Sequence, residues 1–264
     1  MEDLDRVRAG AERRQLADLA AIGLDWDGPV VRQTERLARY QQAIQQLADQ
    51  GGTFECFCSR REIQQAVSAP HAPPGAYPGT CRQLTDVERT ARRRVRPPAI
   101  RLRSGVQEFT VADLLAGRYT GQVDDFVLRR GDGVPAYNLA VVLDDAAQQV
   151  DQVVRGDDLL ASTPRQAYLA DVLGLPVPHY AHVPLVLNDN GDRLSKRDGA
   201  VTLTDLMPLG WTPAAVRSLL AASLGLAEPA EQVSTDDLLA RFDPNTLPRA
   251  PWVATSAELT PPAR

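Results

Sequence analysis

The hydrophobic pattern is helical at the start of the chain and changes period near residue 99. Ala11, Leu16, Leu19 and Ala20 recur at helical spacing and predict a helix over residues 7–22, with Gly23 as its stop. A second amphipathic helix is predicted over 34–48, with Leu37, Tyr40, Ile44 and Leu47 on one face and Gly51-Gly52 ending it. Trp26-Asp27-Gly28-Pro29 is the turn between them. No strand pattern precedes residue 50, although an α/β chain normally opens with one. A short helix over 59–67 leads into a Pro/Gly-rich loop over 70–80. Segments 99–103 and 125–130 then read as strands, and Gly131-Asp132-Gly133 as a hairpin-type turn. Residues 135–145 are apolar enough for a buried helix against a sheet, and 150–155 form a short strand. Ser162-Thr163-Pro164 is expected to cap a helix running to Leu173, with Gly174 as its stop. Segments 212–224 and 234–242 are helical, and the Pro-rich tail from Pro244 is expected to fray. No internal repeat is present.

Composition adds bounds. At 264 residues the chain has room for one or two domains with a large core. Hydrophobic content of 44% and charged content of 24% are those of a soluble globular protein. The acidic start and the lack of any apolar run of membrane length predict the cytoplasm, no membrane partner and a monomer. Net charge is −5, so no global basic field serves nucleic acid. Any such contact must be local, and one run qualifies: Arg89, Arg92, Arg93, Arg94, Arg96, Arg101 and Arg103. The plain reading of that run is a solvated face.

Three stretches carry candidate chemistry. Lys196 is the only lysine of the chain and lies in Arg193-Leu194-Ser195-Lys196-Arg197, between turns containing Gly191 and Gly199. A compact ammonium on a flexible stem suits phosphate as a point charge. Cys56-x-Cys58, with Cys81 beyond the constrained loop, could make three corners of a tetrahedral zinc site, the fourth being His71 or Tyr77 by composition. Three unrelated buried thiols are the plainer alternative. Arg155 stands at the end of a predicted strand, where open α/β sheets keep ligand contacts. His179 and His182 are three apart but flanked by Pro178 and Pro184, which predicts satisfied loop histidines rather than a helical metal pair.

The order of these motifs is specific. Glu2-Asp3-Leu4-Asp5, Cys-x-Cys followed by Tyr77-x-x-x-Cys81, the run from Ala136 to Asp145, Val153-Val154-Arg155-Gly156-Asp157-Asp158 and the lysine loop together resemble class I glutamyl-tRNA synthetases. They are more closely similar to that family's short paralogues, the glutamyl-Q tRNA(Asp) synthetases, because the stretch after Arg197 is too short for an anticodon-binding domain. The resemblance implies an α/β fold: a Rossmann-type catalytic domain lacking its first strand, a small zinc-bearing insertion and a helical C-terminal subdomain. Its parts would be 1–54, 55–98, 99–205 and 206–264. It implies glutamate, ATP with Mg2+ and tRNA(Asp) as substrates, with glutamyl-adenylate passed to the queuosine base in the anticodon. Lys196 would be the catalytic, ATP-contacting lysine of the KMSKS-type loop 193–197. Glu2 would grip the substrate ammonium, Tyr137 and Arg155 would contact glutamate, and Cys56, Cys58, Tyr77 and Cys81 would bind a structural Zn2+. The alternatives are a glutamyl-tRNA synthetase fragment charging a 3′ end, and an inactive zinc-bearing RNA-binding module using the arginine run.

One departure follows from the same resemblance. The strand, phosphate-facing turn and HIGH signature that open the family are absent, and the chain begins inside the segment that holds Glu2. The expectation is that Met1 is an internal methionine of a longer protein. The sequence as it stands is then expected not to activate glutamate unaided.

Overall fold

The structure, a computed structural model, describes residues 9–67, 77–193 and 202–255. Two compact units divide them. The first holds Val30–Val154 and Leu159–Ala181; the second holds Glu2–Pro29, Arg155–Asp158 and His182–Arg264. In chain order the elements begin α1 (Ala11–Ala21), α2 (Leu37–Asp49), β1 (Thr53–Cys56), α3 (Arg60–Val67), α4 (Asp86–Arg93), β2 (Ala99–Leu102), β3 (Glu108–Asp113), β4 (Gly117–Gln122) and β5 (Val127–Arg129). They continue α5 (Tyr137–Ala147), β6 (Gln152–Gly156), α6 (Thr163–Val172), β7 (His179–Val183), β8 (Val186–Leu187), α7 (Leu203–Leu206), α8 (Pro213–Ser223), α9 (Thr235–Arg241) and β9 (Trp252–Val253). No helix among the described residues is long and apolar enough to cross a membrane.

In the first unit β1, β2 and β5 form an antiparallel sheet whose register sets Thr53 opposite Leu102 and Cys56 opposite Ala99. A four-stranded sheet has the order β4-β3-β7-β6. It is mixed rather than all parallel, since β3 pairs antiparallel with β4 and parallel with β7.

The predicted apolar face of α2 is the buried one. Tyr40, Ala43, Ile44 and Leu47 pack in one cluster with Leu139, Ala140, Val142 and Leu143 of α5 and with Leu128 and Leu169. One polar group is set into this contact. The Asp144 carboxylate accepts from the Tyr40 hydroxyl at 2.6 Å and from the Gln33 amide at 3.2 Å, and forms an ion pair with Arg36 at 2.8 Å. Burial first, then the hydrogen bond to Asp144, pushes the Tyr40 phenol above its ordinary range.

Several sequence expectations are corrected here. The β3–β4 hairpin falls in residues 104–124, for which the sequence pattern predicts no element. Asp113 turns it: its Oδ1 accepts from the backbone N–H groups of Leu115 and Ala116 at 2.9 and 2.7 Å. Ser162 makes no side-chain cap, since the chain is already helical through Asp157–Ser162 when α6 starts. His179 and His182 lie on strand β7, not in a loop. The tail after Pro244 includes β9, which pairs parallel with β8. Helix α1 begins at Ala11, and none of its residues is buried. In the second unit α8 and α9 follow the predicted spans, with Thr212 and Ser234 as N-caps.

The Asp144 cluster gives a graded stability prediction. Tyr40→Phe removes one hydrogen bond and costs about 1–2 kcal/mol, whereas Asp144→Ala strands both Arg36 and the Tyr40 hydroxyl and costs about 3–4 kcal/mol. Urea denaturation of the two variants measures the order, and equal losses would remove Asp144 as the shared partner.

Candidate metal centre

The end of β1 and the loop before α4 bring three thiols together. The Sγ atoms of Cys56, Cys58 and Cys81 all lie within 4.8 Å of one another, with Cys58 and Cys81 at 3.6 Å. The Tyr77 hydroxyl is 3.5 Å from Cys56 Sγ and 4.0 Å from Cys58 Sγ. Cys56 and Cys81 are buried with Phe54, Phe57, Tyr77 and Leu84, and Cys58 is half-buried at the edge of that cluster.

Local chemistry explains the convergence. Gly79 takes the left-handed conformation, φ +80°, where a side chain would be strained. The turn it makes lets the Cys81 N–H donate back to the Tyr77 oxygen at 2.7 Å. Asp124 and Asp125 hold this loop. Asp124 accepts from the Tyr77 N–H at 2.8 Å and from Arg165 at 2.6 Å. Asp125 accepts from Arg82 and from the Ser104 N–H. The Arg101 guanidinium lies 3.8 Å over the Tyr77 ring and donates to the Asp125 carbonyl at 2.7 Å.

The sulfurs are electrostatically unequal. Burial, then the neighbouring Cys56 sulfur, pushes the Cys58 thiol up to about 12. Burial also raises Cys81, but the Phe57 N–H and the other donors around it outweigh that and bring it below the ordinary thiol range. Arg92 donates to Cys81 Sγ at 3.6 Å. Three sulfurs and a phenol oxygen form a soft donor set of the kind zinc takes. Two thiolates about 2.3 Å from one tetrahedral zinc stand roughly 3.7 Å apart, close to the Cys58–Cys81 separation. The residues therefore fit a structural zinc, which would tie β1 to the loop before α4.

The arginine run is drawn into the packing of this region. Arg93 chelates Glu55 at 3.0 and 2.9 Å, Arg96 pairs with Glu62 at 3.7 Å, Arg101 is buried, and Arg103 lies 5.2 Å from the Phe54 ring.

The other candidate site residues fall elsewhere. Tyr137 opens α5 in the first unit and is 49% exposed. In the second unit Arg155 lies on β6 and donates from Nε to His182 Nε2 at 3.1 Å. Arg193 bridges to Leu187 and pairs with Asp158. Glu2, His71, Leu194, Ser195, Lys196 and Arg197 lie outside the described residues. Sequence reasoning missed Asp124, Asp125 and Asp158 as partners, and only the doubled acidic steps 124–125 and 157–158 hinted at them.

Comparison with known proteins places the chain. Residues 1–261 match the family described as tRNA synthetases class I (E and Q), catalytic domain. A glutamyl-Q tRNA(Asp) synthetase of Nocardia farcinica is 64% identical over all of this chain and 84% of its own length. One of Cutibacterium acnes is 52% identical over 88% of this chain and 67% of its own. Among solved structures, a glutamate-tRNA synthetase of Elizabethkingia anophelis superposes with TM-score 0.79 at 25% identity, covering 97% of this chain. The chain spans 60% of the length of that protein.

The donor set sets its own test. Elemental analysis is expected to find about one zinc per chain, and Cys81→Ser to lose it with a fall in thermal midpoint. Full zinc retention in Cys81→Ser would exclude Cys81 as a ligand.

Proposed function

This chain belongs to the class I glutamyl- and glutaminyl-tRNA synthetase family, and on that premise we propose that it activates glutamate with ATP and transfers it to the queuosine base of tRNA(Asp). One observation carries the reading: the 64% identity to a relative of that name extends over the whole chain. The three-cysteine cluster beside Tyr77 is consistent with it.

In this reading the glutamate α-carboxylate attacks the α-phosphate of ATP, and pyrophosphate leaves as glutamyl-adenylate forms. Lys196 offsets the negative charge that spreads over the phosphates as the bond breaks. Arg155 takes the side-chain carboxylate as a bidentate pair. Glutamine would present a neutral amide to the same guanidinium, which is the basis of selection against it. Glu2 binds the substrate ammonium and Tyr137 makes a further glutamate contact, both assigned by motif match. Zinc on Cys56, Cys58, Tyr77 and Cys81 has a structural role and takes no part in the chemistry.

A second reading, aminoacylation of a tRNA 3′ end, is favoured by the likeness to a glutamate-tRNA synthetase. It has the weaker support, at 25% identity and 60% of that protein's length.

Glutamate-dependent ATP–pyrophosphate exchange tests the activation step. In a form extended upstream of Met1, Lys196→Ala is expected to lower exchange by about 10²-fold or more while leaving glutamate binding intact. Undiminished exchange in that variant would rule out the assigned role of the lysine.

A further inference from the structure

Arg155 does not stand alone at the end of β6. Strand β7 lies next to β6 in the sheet order, and His182 on β7 meets Arg155 across the two strands. The contact is specific: Arg155 Nε–H donates to His182 Nε2 at 3.1 Å, and His182 is only 3% exposed. A guanidinium nitrogen can only donate, so Nε2 is the acceptor in this contact. A second feature fixes the same strand end. A Cβ on Gly156 would lie 2.7 Å from Asp158 Oδ1 and 2.9 Å from Leu185 Cδ2, so a larger residue there would have to displace the ends of both side chains.

We propose that His182 is a positioning residue for Arg155: by accepting from Nε it holds the guanidinium in one orientation toward a carboxylate. A guanidinium tied at Nε to a buried imidazole cannot swing freely about its side-chain torsions, so the direction in which it presents its donors is set before a ligand arrives. This makes His182 a determinant of selectivity for an ω-carboxylate over its amide, since a swivelling guanidinium could re-aim to tolerate the amide oxygen. The inference rests on the reading that Arg155 binds the substrate carboxylate.

Glutamate affinity measured by calorimetry on the form extended upstream of Met1 and on its variants separates the two ideas. His182→Leu is expected to weaken glutamate binding about tenfold or more and to narrow its preference over glutamine. His182→Gln, whose amide oxygen can accept from Nε, should recover most of the loss. Thermal midpoints of the two variants serve as the control for folding. In parallel, 15N spectra of the imidazole should show the Nδ1–H tautomer, and Arg155→Ala should shift the His182 signals. Wild-type affinity and selectivity in His182→Leu, alongside loss of binding in Arg155→Ala, would overturn the positioning role and leave the function standing. No effect in Arg155→Ala, or no glutamate binding in the wild type, would overturn both. An Nε2–H tautomer would overturn the positioning role by itself.

Discussion

Two adjacent carboxylates, Asp124 and Asp125, carry the constraint on which the metal centre depends. They leave the chain just before β5 and face the loop between residues 77 and 82. Asp124 receives the Tyr77 backbone and Arg165, and Asp125 receives Arg82 and the Ser104 backbone. Each carboxylate therefore joins a loop that has no strand partner to elements that do. The clamp adds to the contacts the loop makes itself, the Cys81 N–H to the Tyr77 hydroxyl and the Phe57 N–H to Cys81 Sγ. A zinc bound there would close the same junction from the other side, so ion and carboxylates act on one loop.

The same device recurs through the chain, with arginine as the partner. Arg36 meets Asp144 between α2 and α5, Arg82 meets Asp125, Arg165 meets Asp124, and Arg193 meets Asp158. A planar fork can hold a carboxylate and still pack flat on an aromatic ring, as Arg101 does on Tyr77. That versatility accounts for how arginine serves as the structural cation in these four pairs. At Arg155 Nε the acceptor is the His182 imidazole. An imidazole at that nitrogen orients the guanidinium without placing a negative charge there.

Much of this was legible in the sequence. The buried face of α2 followed from its period, and the burial of α5 from its near-continuous apolar run. The cysteine cluster followed from Cys-x-Cys and a later Cys around one constrained loop, and the structure puts the three sulfurs within 4.8 Å. What was not legible depends on distant residues. The sequence pattern predicts no element for the β3–β4 hairpin, and a single Asp113 side chain caps its turn. His182 looked like a loop residue between prolines, yet strand pairing across the sheet gives it its partner. Strand β9 sits in a proline-rich tail, and only its pairing with β8 makes it a strand.

The central claim is that activated glutamate goes to the anticodon base and not to the 3′ end. The direct measurement supplies radiolabelled glutamate, ATP and tRNA(Asp), then digests the RNA and locates the label. The account predicts label in the anticodon fragment, dependent on queuosine and undiminished when the terminal adenosine is removed. Label confined to the 3′-terminal fragment, lost with that adenosine and indifferent to queuosine, would contradict it.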